Sequence, residues 1–271
     1  MVATPIGNLG DLSPRAVEVL ATADDVACED SRVTGRLLAA AGVNRKLRTY
    51  HDHNAERERP KLLVLLREGQ SVALVSDAGT PLVSDPGYKL VRAAAEAGHP
   101  VFAVPGPSAV GAALSVAGLP TDRFLFLGFL PPRQRARRTT LAEIAPLRAT
   151  LVLFETGPRL AGCLADLADV LGAREAVVLR ELTKLYEEAR RGDLPGLAAA
   201  YAAEGPPKGE IVIVIGPPIG QVPGAVDVDA ELRRRLAELP PAAAAAKVAA
   251  ATGLPRREVY RRALALRRDP Q

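Results

Sequence analysis

Three loops rich in glycine and proline hold the residues of this chain whose types and spacing best suit chemistry. They are TPIGNLGD at 4–11, SDAGTPLVSDPG at 76–87 and VPGPSA at 104–109. Glycine lets a backbone approach a ligand closely, and proline holds a loop in place at low entropic cost. Each loop taken alone is better explained as a tight turn. The three together favour a single ligand pocket.

The familiar phosphate-binding and nucleophile motifs are absent from the sequence. It contains no GxxxxGK[ST], no GxGxxG and no GxSxG, which argues against a P-loop, a standard dinucleotide site and a nucleophile elbow. Cys28 and Cys163 lie far apart, and three histidines are too few for a histidine-built metal site. Asp30, Asp77 and Asp85 could ligate Mg²⁺, but they form no close cluster in sequence. We therefore expect no metal.

The excess of basic residues lies entirely in the C-terminal segment. The chain has 35 Lys and Arg against 31 Asp and Glu, a net charge of +4. Residues 226–271 contain 10 basic and 6 acidic side chains and so carry all of that excess. A neutral body with a basic tail is consistent with a polyanionic partner, or simply with an arginine-rich helix in solvent.

Length and composition indicate a globular protein of about two domains, at roughly 150 residues per domain. Hydrophobic residues make up 48% of the 271 residues and charged residues 24%. No apolar run reaches the roughly 18 residues that span a bilayer, and no signal-peptide pattern opens the chain. We therefore expect a cytoplasmic protein that is neither inserted in a membrane nor secreted.

The three loops must be positioned by regular elements, and the first half of the chain alternates strands with helices. Candidate strands are 26–28, 47–50, 72–76 and 101–104, and candidate helices are 13–21, 32–41, 55–68 and 88–97. This alternation predicts a mainly parallel sheet covered by helices, in an α/β domain over residues 1–118. Ligands bind such sheets outside the carboxyl ends of the strands, where the loops fall. Only three or four residues are available for a strand before Pro5, so either the first strand is short or the chain starts upstream.

A second cycle of strands and helices follows, and a helical segment completes the chain. Strands are predicted at 124–127, 150–154, 176–179 and 211–215, and helices at 159–171 and 194–203, in an α/β domain over 119–220. The Pro/Gly-rich segment 216–226 is typical of a linker. Helices at 229–238, 242–252 and 256–265 form a tail domain over 226–271. A turn near Gly253 before an arginine-rich helix is typical of a helix-turn-helix, a pattern that other three-helix units share.

The last predicted helix has a basic side and an apolar side. Its basic side carries Arg256, Arg257, Arg261 and Arg262, close to i, i+4 spacing. Val259, Ala263 and Leu264 can then pack inward. Such a helix suits docking on the backbone of a nucleic-acid duplex.

The loops resemble those of the tetrapyrrole-methylase superfamily. More closely, the chain resembles the bacterial 2′-O-methyltransferases that modify a cytidine of 16S ribosomal RNA in the small subunit. The matching segments run in order through residues 3–216 and are ATPIGNLGDLSPRA, CEDSR, YHDHNAE, SDAGTPLVSDPG, VPGPSA, GFLP, FETGPR, RELTKLYEE and KGEIVIVIG. Each motif alone is weak, but the combination is specific. The resemblance implies two α/β domains with S-adenosylmethionine in the cleft between them, a homodimer, and a small C-terminal helical domain.

The resemblance assigns contacts with the cofactor to residues of both α/β domains. They are Pro5, Gly79, Thr80, Val83, Ser108 and Ala109 in the first domain, and Phe129, Glu155 and Gly209 in the second. Ser108 equally suits the N-cap of a helix, and both roles can coexist because a helix N-terminus also presents free N–H groups. Core packing is the alternative for Val83 and Phe129.

The implied reaction moves a methyl group to a ribose 2′-hydroxyl. A sulfonium is a strong electrophile, so catalysis rests mostly on in-line positioning, and a general base can assist. Glu29 and Asp30 follow a predicted strand and are the candidate catalytic carboxylates, with capping of the next helix as their alternative. His51 and His53, also candidates for the base, could face one side of an extended segment near phosphate, or belong to an ordinary surface loop.

Basic side chains near the cleft are predicted to contact RNA. Four follow GFLPP within six residues, namely Arg133, Arg135, Arg137 and Arg138. Arginine binds phosphate through bidentate contacts, and although a solvated loop is the alternative, the position beside the cleft favours RNA. Arg32 either binds phosphate or pairs with Glu29. In RELTKLYEE, Lys184 rather than its acidic neighbours is expected to touch RNA.

Two other functions fit parts of the pattern. The same architecture methylates tetrapyrrole precursors at carbon, but YHDHNAE, the arginine cluster and the basic tail argue against a small-molecule substrate. A nucleic-acid-binding regulator that only senses a ligand is the other alternative, and the helix-turn-helix pattern alone supports it.

Overall fold

The computed structural model describes residues 1–84, 87–218, 228–252 and 254–268. Asp85, Gly253 and most of the predicted linker lie outside the described residues. The chain divides into two compact units, the first made of Met1–Leu141 and Ala149–Pro217, the second of Ala142–Arg148 and Pro218–Gln271. The predicted domain over 1–118 and most of the predicted domain over 119–220 fall in the first unit.

The first half of the large unit has a three-stranded parallel sheet in the order β2-β1-β3. Its strands are β1 (Asp25–Cys28), β2 (Leu47–Thr49) and β3 (Val72–Val75), and its helices are α1 (Pro14–Thr22), α2 (Ser31–Ala40), α3 (Ala55–Arg67), α4 (Tyr88–Glu96) and α5 (Ala109–Ala117). A single 3-10 turn, Leu9–Asp11, lies in the first loop. The parallel sheet and the helices between its strands confirm the fold expected from the alternating pattern.

The prediction of a strand at 101–104 is wrong. Val104 makes one isolated parallel bridge to Val2, and the N-terminal segment passes between residue 104 and β3, with the Val2 amide donating to the Leu74 carbonyl at 2.9 Å. Pro5 and Pro105 follow directly on the two bridging segments. Because proline has no N–H, neither segment extends into a regular ladder.

The second half of the large unit has a five-stranded mixed sheet in the order β4-β5-β8-β6-β7. Its strands are β4 (Phe124–Phe129), β5 (Thr150–Thr156), β6 (Glu175–Arg180), β7 (Glu188–Asp193) and β8 (Glu210–Ile215), and its helices are α6 (Gln134–Ile144), α7 (Gly157–Leu171) and α8 (Leu194–Glu204). The β4–β5 pair is parallel, and the pairs of β8 with β5 and with β6 are antiparallel, as is β6 with β7. Leu151, Leu153 and Ile213 are fully buried at the centre of this sheet.

Two elements of this half differ from the sequence prediction. The arginine cluster at 133–138 was interpreted as a loop, but all of it after Arg133 belongs to α6, since the helix buries one arginine and Leu141 on its inner face. Strand β7 was not predicted because its residues, EARRGD, are charged and largely exposed. It pairs with β6 alone, at the edge of the sheet.

The second unit contains three helices, α9 (Val228–Leu236), α10 (Pro241–Thr252) and α11 (Arg256–Arg268), as predicted. Leu232, Val248, Val259 and Ala263 are fully buried in its core. Leu264, expected to point inward, is 39% exposed, and Leu266 packs against the core instead. Nowhere in the described part of the chain is a helix long and apolar enough to cross a membrane.

Candidate active site

A cavity of about 290 Å³ lies in the first unit, where the loops of its first half face the second sheet. On the side of the second sheet, its lining residues come from the ends of β4 and β5, from the segment after β6, and from Gly209 and the first residues of β8. Because β8 runs antiparallel to β5 and β6, its start lies beside their carboxyl ends. The cavity therefore lies at the edge of the sheet where ligands of α/β proteins bind.

Most of the residues predicted to contact a cofactor line this one cavity. They are Gly79, Thr80, Val83, Ser108, Ala109, Phe129, Glu155 and Gly209. Pro5 does not line it, but its neighbour Ile6 does. The sequence did not single out several further lining residues, namely Ile6, Ala78, Ser84, Phe154, Thr156, Leu182, Glu210, Ile211 and Val212. All of these residues belong to the motifs that carry the family resemblance, and those motifs were the signal that could have identified them.

Hydrogen bonds tie the three Gly/Pro loops to one another. Thr4 and Gly79 exchange backbone hydrogen bonds of 2.9 and 3.0 Å, and the Thr80 hydroxyl donates to the Pro107 carbonyl at 3.1 Å. Gly79 has a φ of +80°. A Cβ on Gly79 would lie 3.3 Å from Cγ2 of Ile6, so the loop packs closely here. The convergence of the loops expected from the sequence is present in the structure.

Helix α5 begins at the cavity wall. Ser108 is its N-cap, and the Ser108 hydroxyl accepts a hydrogen bond of 3.4 Å from the Gly111 amide. The first amides of a helix have no partner within the helix, and they carry partial positive charge. Since Ser108 and Ala109 both line the cavity, this end of α5 offers hydrogen-bond donors to a ligand.

The second half contributes an apolar wall with one buried carboxylate. The Phe129 and Phe154 rings meet edge to face with centroids 5.7 Å apart. Glu155 is 2% exposed, and its Oε1 accepts from the Thr156 amide at 2.8 Å and lies 3.1 Å from the Arg159 guanidinium. Its Oε2 is buried without a partner. Such an acceptor is costly when left unsatisfied, so a donor on a bound ligand would stabilise it.

Lys184 lies beside the cavity residue Glu210 and not on an open basic surface. Its Nζ donates to Glu181 Oε1 at 2.8 Å and to Glu210 Oε2 at 2.7 Å. Burial lowers the pKa of Lys184, but the two carboxylates outweigh this and leave that pKa raised.

The predicted catalytic carboxylates follow β1 and do not line the cavity. Asp30 is the N-cap of α2, accepts from the Arg32 amide at 2.8 Å and pairs with the Arg32 guanidinium at 2.6 Å. These hydrogen bonds lower the pKa of Asp30 to about 2, which makes it a weak base. The Asp30 amide donates to Asp77 Oδ1 at 2.9 Å, and Asp77 precedes the cavity residue Ala78. A catalytic role for Glu29 or Asp30 stays a prediction.

The two histidines are close together but also outside the cavity wall. The centroids of the His51 and His53 rings are 6.0 Å apart, and the His51 amide donates to Asn54 Oδ1 at 2.9 Å. Arg32 has 84% of its side chain exposed and pairs with Asp30.

The arginine cluster is split between the surface and the interior. Arg133 and Arg135 are exposed. Arg137 is 7% exposed, and its Nε donates to the fully buried Asp166 at 2.8 Å. Arg138 also pairs with Asp166, at 2.6 Å. The prediction that all four contact phosphate is corrected at Arg137, whose guanidinium is held inside the fold.

Neither thiolate nor metal chemistry is indicated by the described residues. Burial raises the pKa of Cys28 to about 11 and that of Cys163 to about 12, so both thiols stay protonated near neutral pH. Across residues 1–84, 87–218, 228–252 and 254–268, no group of three His, Cys, Asp or Glu side chains could hold a metal ion.

Two family models match the chain. Tetrapyrrole (corrin/porphyrin) methylases match residues 1–198, and the RsmI C-terminal HTH domain matches residues 222–267. Among solved structures, uroporphyrin-III-C-methyltransferase from Thermus thermophilus is 28% identical with a TM-score of 0.54, covering 79% of this chain and 92% of its own. The cobalamin-biosynthetic cobalt precorrin-4 methyltransferase has a TM-score of 0.58 at 21% identity, covering 79% and 93%.

Curated relatives match the chain over nearly its full length. The Ribosomal RNA small subunit methyltransferase I of Mesorhizobium japonicum is 50% identical over 268 residues, covering 98% of this chain and 91% of that protein. The protein of the same name from Erythrobacter litoralis is 52% identical, covering 98% and 94%. The chain therefore belongs to the tetrapyrrole methylase family and, within it, to the ribosomal RNA small subunit methyltransferase I group.

Proposed function

We propose that this protein is an S-adenosylmethionine-dependent methyltransferase that modifies a cytidine ribose of 16S ribosomal RNA at its 2′-hydroxyl. The supporting observation is the single cavity on which three Gly/Pro loops and the ends of the second sheet converge. The rRNA substrate is carried over from relatives about half identical to this chain. The cytidine and its 2′-oxygen rest on the sequence resemblance.

The residues of the cavity fit the proposed cofactor in size and chemistry. About 290 Å³ is close to the lower end of the usual range for small-molecule sites. Phe129, Phe154 and Val83 give apolar surface for an adenine, and the unpartnered Glu155 Oε2 gives an acceptor for an amino or hydroxyl group. The amides at the start of α5 give donors for a carboxylate. When bound, S-adenosylmethionine supplies a methyl group that is already activated on a sulfonium.

The protein's part in the reaction is then mostly to bind and orient. The hydrogen bonds among the three loops hold one wall in place before any ligand arrives. On the opposite wall, the Arg159 guanidinium pairs with Glu155 and donates to the Leu130 carbonyl at 2.7 Å, which fixes the segment next to Phe129. A preorganised site of this kind lowers the barrier by holding the reacting groups in line.

Exposed basic residues outside the cavity are the proposed contacts with RNA. Arg133, just before α6, and Arg135, in its first turn, are exposed a few residues after the cavity residue Phe129. In the second unit, Arg256, Arg257 and Arg261 are exposed on α11. We propose that both sets bind phosphates, and that the second unit strengthens binding of the substrate without taking part in the chemistry.

A small-molecule methylase is the closest alternative. The two solved tetrapyrrole methylases described above are 21% and 28% identical and cover 79% of this chain, whereas the two rRNA methyltransferase relatives are 50% and 52% identical and cover 98% of it. The match of the C-terminal segment to an HTH domain also favours a nucleic-acid substrate.

The resemblance further implies a cytoplasmic homodimer, for which light scattering should give about 57 kDa, twice the chain mass of 28.5 kDa.

The proposal is tested by mapping ribose methylation in a strain that lacks the gene. Mass spectrometry of its 16S rRNA should show one cytidine without its 2′-O-methyl group. The wild-type gene should restore the modification, and a variant with a blocked cavity should not. An unchanged methylation map in the deletion strain would rule the proposal out.

A further inference from the structure

A cluster of three charged side chains stands at the rim of the cavity. Lys184 Nζ lies between Glu181 Oε1 and Glu210 Oε2, at 2.8 and 2.7 Å. The side chains of Lys184 and Glu181 are only 24% and 19% exposed, whereas that of Glu210 is 73% exposed and also lines the cavity. Glu210 is therefore the member of the cluster that faces both the cavity and the solvent.

The backbone around this cluster is held in an uncommon conformation. Glu181 and Thr183 have φ values of +53° and +67°, which are costly for residues other than glycine and are most often kept at functional sites. The Glu210 amide donates to Glu181 Oε1 at 2.9 Å, and the Glu181 amide donates to the Glu210 carbonyl at 3.0 Å. The start of β8 is thus fixed to the turn that follows β6.

The first half of the unit closes the cluster from the other side. A Cβ on Gly7 would lie 2.3 Å from Cε of Lys184, so the lysine stem lies directly against the first Gly/Pro loop. Two carboxylates already bind the Lys184 ammonium, and a phosphate would have to displace one of them. The cluster is better placed to hold Glu210 than to attract RNA.

Two carboxylates line the cavity among the residues that the structure describes, Glu155 and Glu210. Glu155 is 2% exposed and pairs with Arg159, so the hydroxyl of a macromolecule arriving from solvent meets Glu210 first. We propose that Glu210 is the general base for the substrate hydroxyl and that Lys184 is the positioning residue that holds its carboxylate at the cavity rim. This inference rests on the proposed function.

The proposed step balances without any further reactant. The substrate oxygen forms a bond to the methyl carbon while the bond from that carbon to sulfur breaks, and the electron pair of the broken bond stays on sulfur. The electron pair of the O–H bond stays on the oxygen, which becomes the oxygen of the new ether. The proton passes to the Glu210 carboxylate and from there to water, which this exposed side chain can reach.

The test of the base is Glu210→Gln, which keeps the shape of the side chain and removes its basicity. We expect kcat on small subunits from the deletion strain to fall by about 10²–10⁴-fold, the usual contribution of general base catalysis. Calorimetric affinity for S-adenosylmethionine and filter-binding affinity for the subunit should both stay within about twofold of wild type. Glu188→Gln, at an exposed residue paired with Arg180 outside the cavity, is the matched control and should keep full activity.

Several outcomes would overturn this assignment. A kcat for Glu210→Gln within about threefold of wild type would do so, and so would a loss explained by weaker binding of the cofactor. Glu155→Gln losing kcat while Glu210→Gln keeps it would move the role to Glu155. The proposed function fails separately, if the wild-type protein does not methylate the subunit.

The test of the positioning residue is Lys184→Met compared with Lys184→Arg. Loss of the clamp should lower kcat at least about tenfold and leave the KM for the subunit unchanged, and arginine should restore part of kcat because it can still pair with both carboxylates. A phosphate-binding lysine would instead raise KM and reduce the salt dependence of binding. That second pattern, or unchanged kinetics, would contradict the proposal for Lys184.

Discussion

Gly79 occupies a position that a residue with a side chain fills only under strain. Its φ is +80°, its backbone pairs with Thr4, and a Cβ would press on Ile6 at 3.3 Å. A β-branched residue in this conformation costs about 1–3 kcal/mol. The strain is relieved only if the loop moves, and the loop forms one wall of the cavity.

Gly79→Val should therefore weaken binding of S-adenosylmethionine at least about tenfold, or about 1.4 kcal/mol, measured by calorimetry. Gly42→Val is the matched control, because Gly42 has a φ of +69°, has no atom within 4 Å of a Cβ and lies outside the cavity. The control should lose stability and keep its affinity. A wild-type Kd for Gly79→Val would remove the cavity as the cofactor site.

At the residue scale, the sequence predicted those features that depend only on neighbouring residues along the chain. Glycines and prolines at strand ends identified the three loops as one pocket, because the carboxyl ends of neighbouring strands meet at one edge of the sheet, and the family resemblance assigned the individual cavity residues. The partners of Lys184 could not be predicted in the same way. Glu210 is 26 residues further along the chain, and it reaches Lys184 only because β8 pairs with β6.

Helices α6 and α7 are joined by a buried ion pair. Asp166 is fully buried on α7, and three side chains of α6 donate to it, namely Gln134, Arg137 and Arg138. Arg137 also donates to the carbonyls of Pro131 and Pro132, close to the cavity residue Phe129. The pair thus supports the segment that carries one wall of the site.

Asp166→Asn should lower the free energy of unfolding by about 3–5 kcal/mol, because it leaves the Arg137 cation buried without its anion. Urea denaturation measures this difference. Asp169→Asn is the control, since Asp169 pairs with Arg138 but is 59% exposed, and its loss should cost less than about 1 kcal/mol. Equal effects of the two substitutions would show that burial of the pair does not matter.

The same pair predicts a dependence of stability on pH. Burial raises the pKa of Asp166, but hydrogen bonds from Arg138, Gln134 and Arg137 outweigh it and leave that pKa below its ordinary value. A carboxyl group whose pKa is lower in the folded than in the unfolded state stabilises the fold. This stabilisation is complete at pH values above the unfolded-state pKa of about 3.9, and it is lost as the pH falls through the folded-state pKa.

The stability difference between wild type and Asp166→Asn should therefore be constant from about pH 7 to about pH 5 and shrink below about pH 4. Urea denaturation across this range tests it. A difference that stays constant down to about pH 2 would contradict the lowered pKa.

At the element scale, periodicity predicted the helices and the buried strands well. It failed where the type of a side chain does not show whether that side chain is buried. The arginines that begin α6 were interpreted as a loop because nothing local to them shows that Asp166, about thirty residues away, holds them. Strand β7 is charged because it lies at a sheet edge. The apolar run at 101–104 predicted a strand, although its flanking prolines prevent a ladder.

At the scale of the whole molecule, the order of the strands could not be predicted from the sequence. The alternating pattern indicated α/β architecture in both halves, but the second sheet is mixed because β8 enters antiparallel between β5 and β6. Such pairing depends on residues far apart along the chain. The helical second unit was predictable because its three helices follow one another with short connections.

The second unit should contribute binding and not catalysis. Replacing Arg256, Arg257 and Arg261 by Gln should raise the KM for the small subunit and leave the affinity for S-adenosylmethionine unchanged. The slope of log affinity against log salt should shrink by about 0.7–0.9 for each phosphate that the variant no longer binds. Arg233→Gln, at an exposed residue on α9, is the control for the loss of positive charge outside α11. An unchanged KM and salt slope in the triple variant would exclude α11 from the RNA interface.

The most direct test of the central claim is transfer of a labelled methyl group by the purified protein. Small subunits from the deletion strain are incubated with S-adenosylmethionine labelled on its methyl carbon, and the 16S rRNA is digested and sequenced by mass spectrometry. We predict one labelled methyl per subunit, on the 2′-oxygen of a single cytidine, and slower transfer by the Gly79→Val variant when S-adenosylmethionine is kept near the wild-type Kd. Label on a base or on several nucleotides, or no label while a tetrapyrrole precursor is methylated, would contradict the assignment.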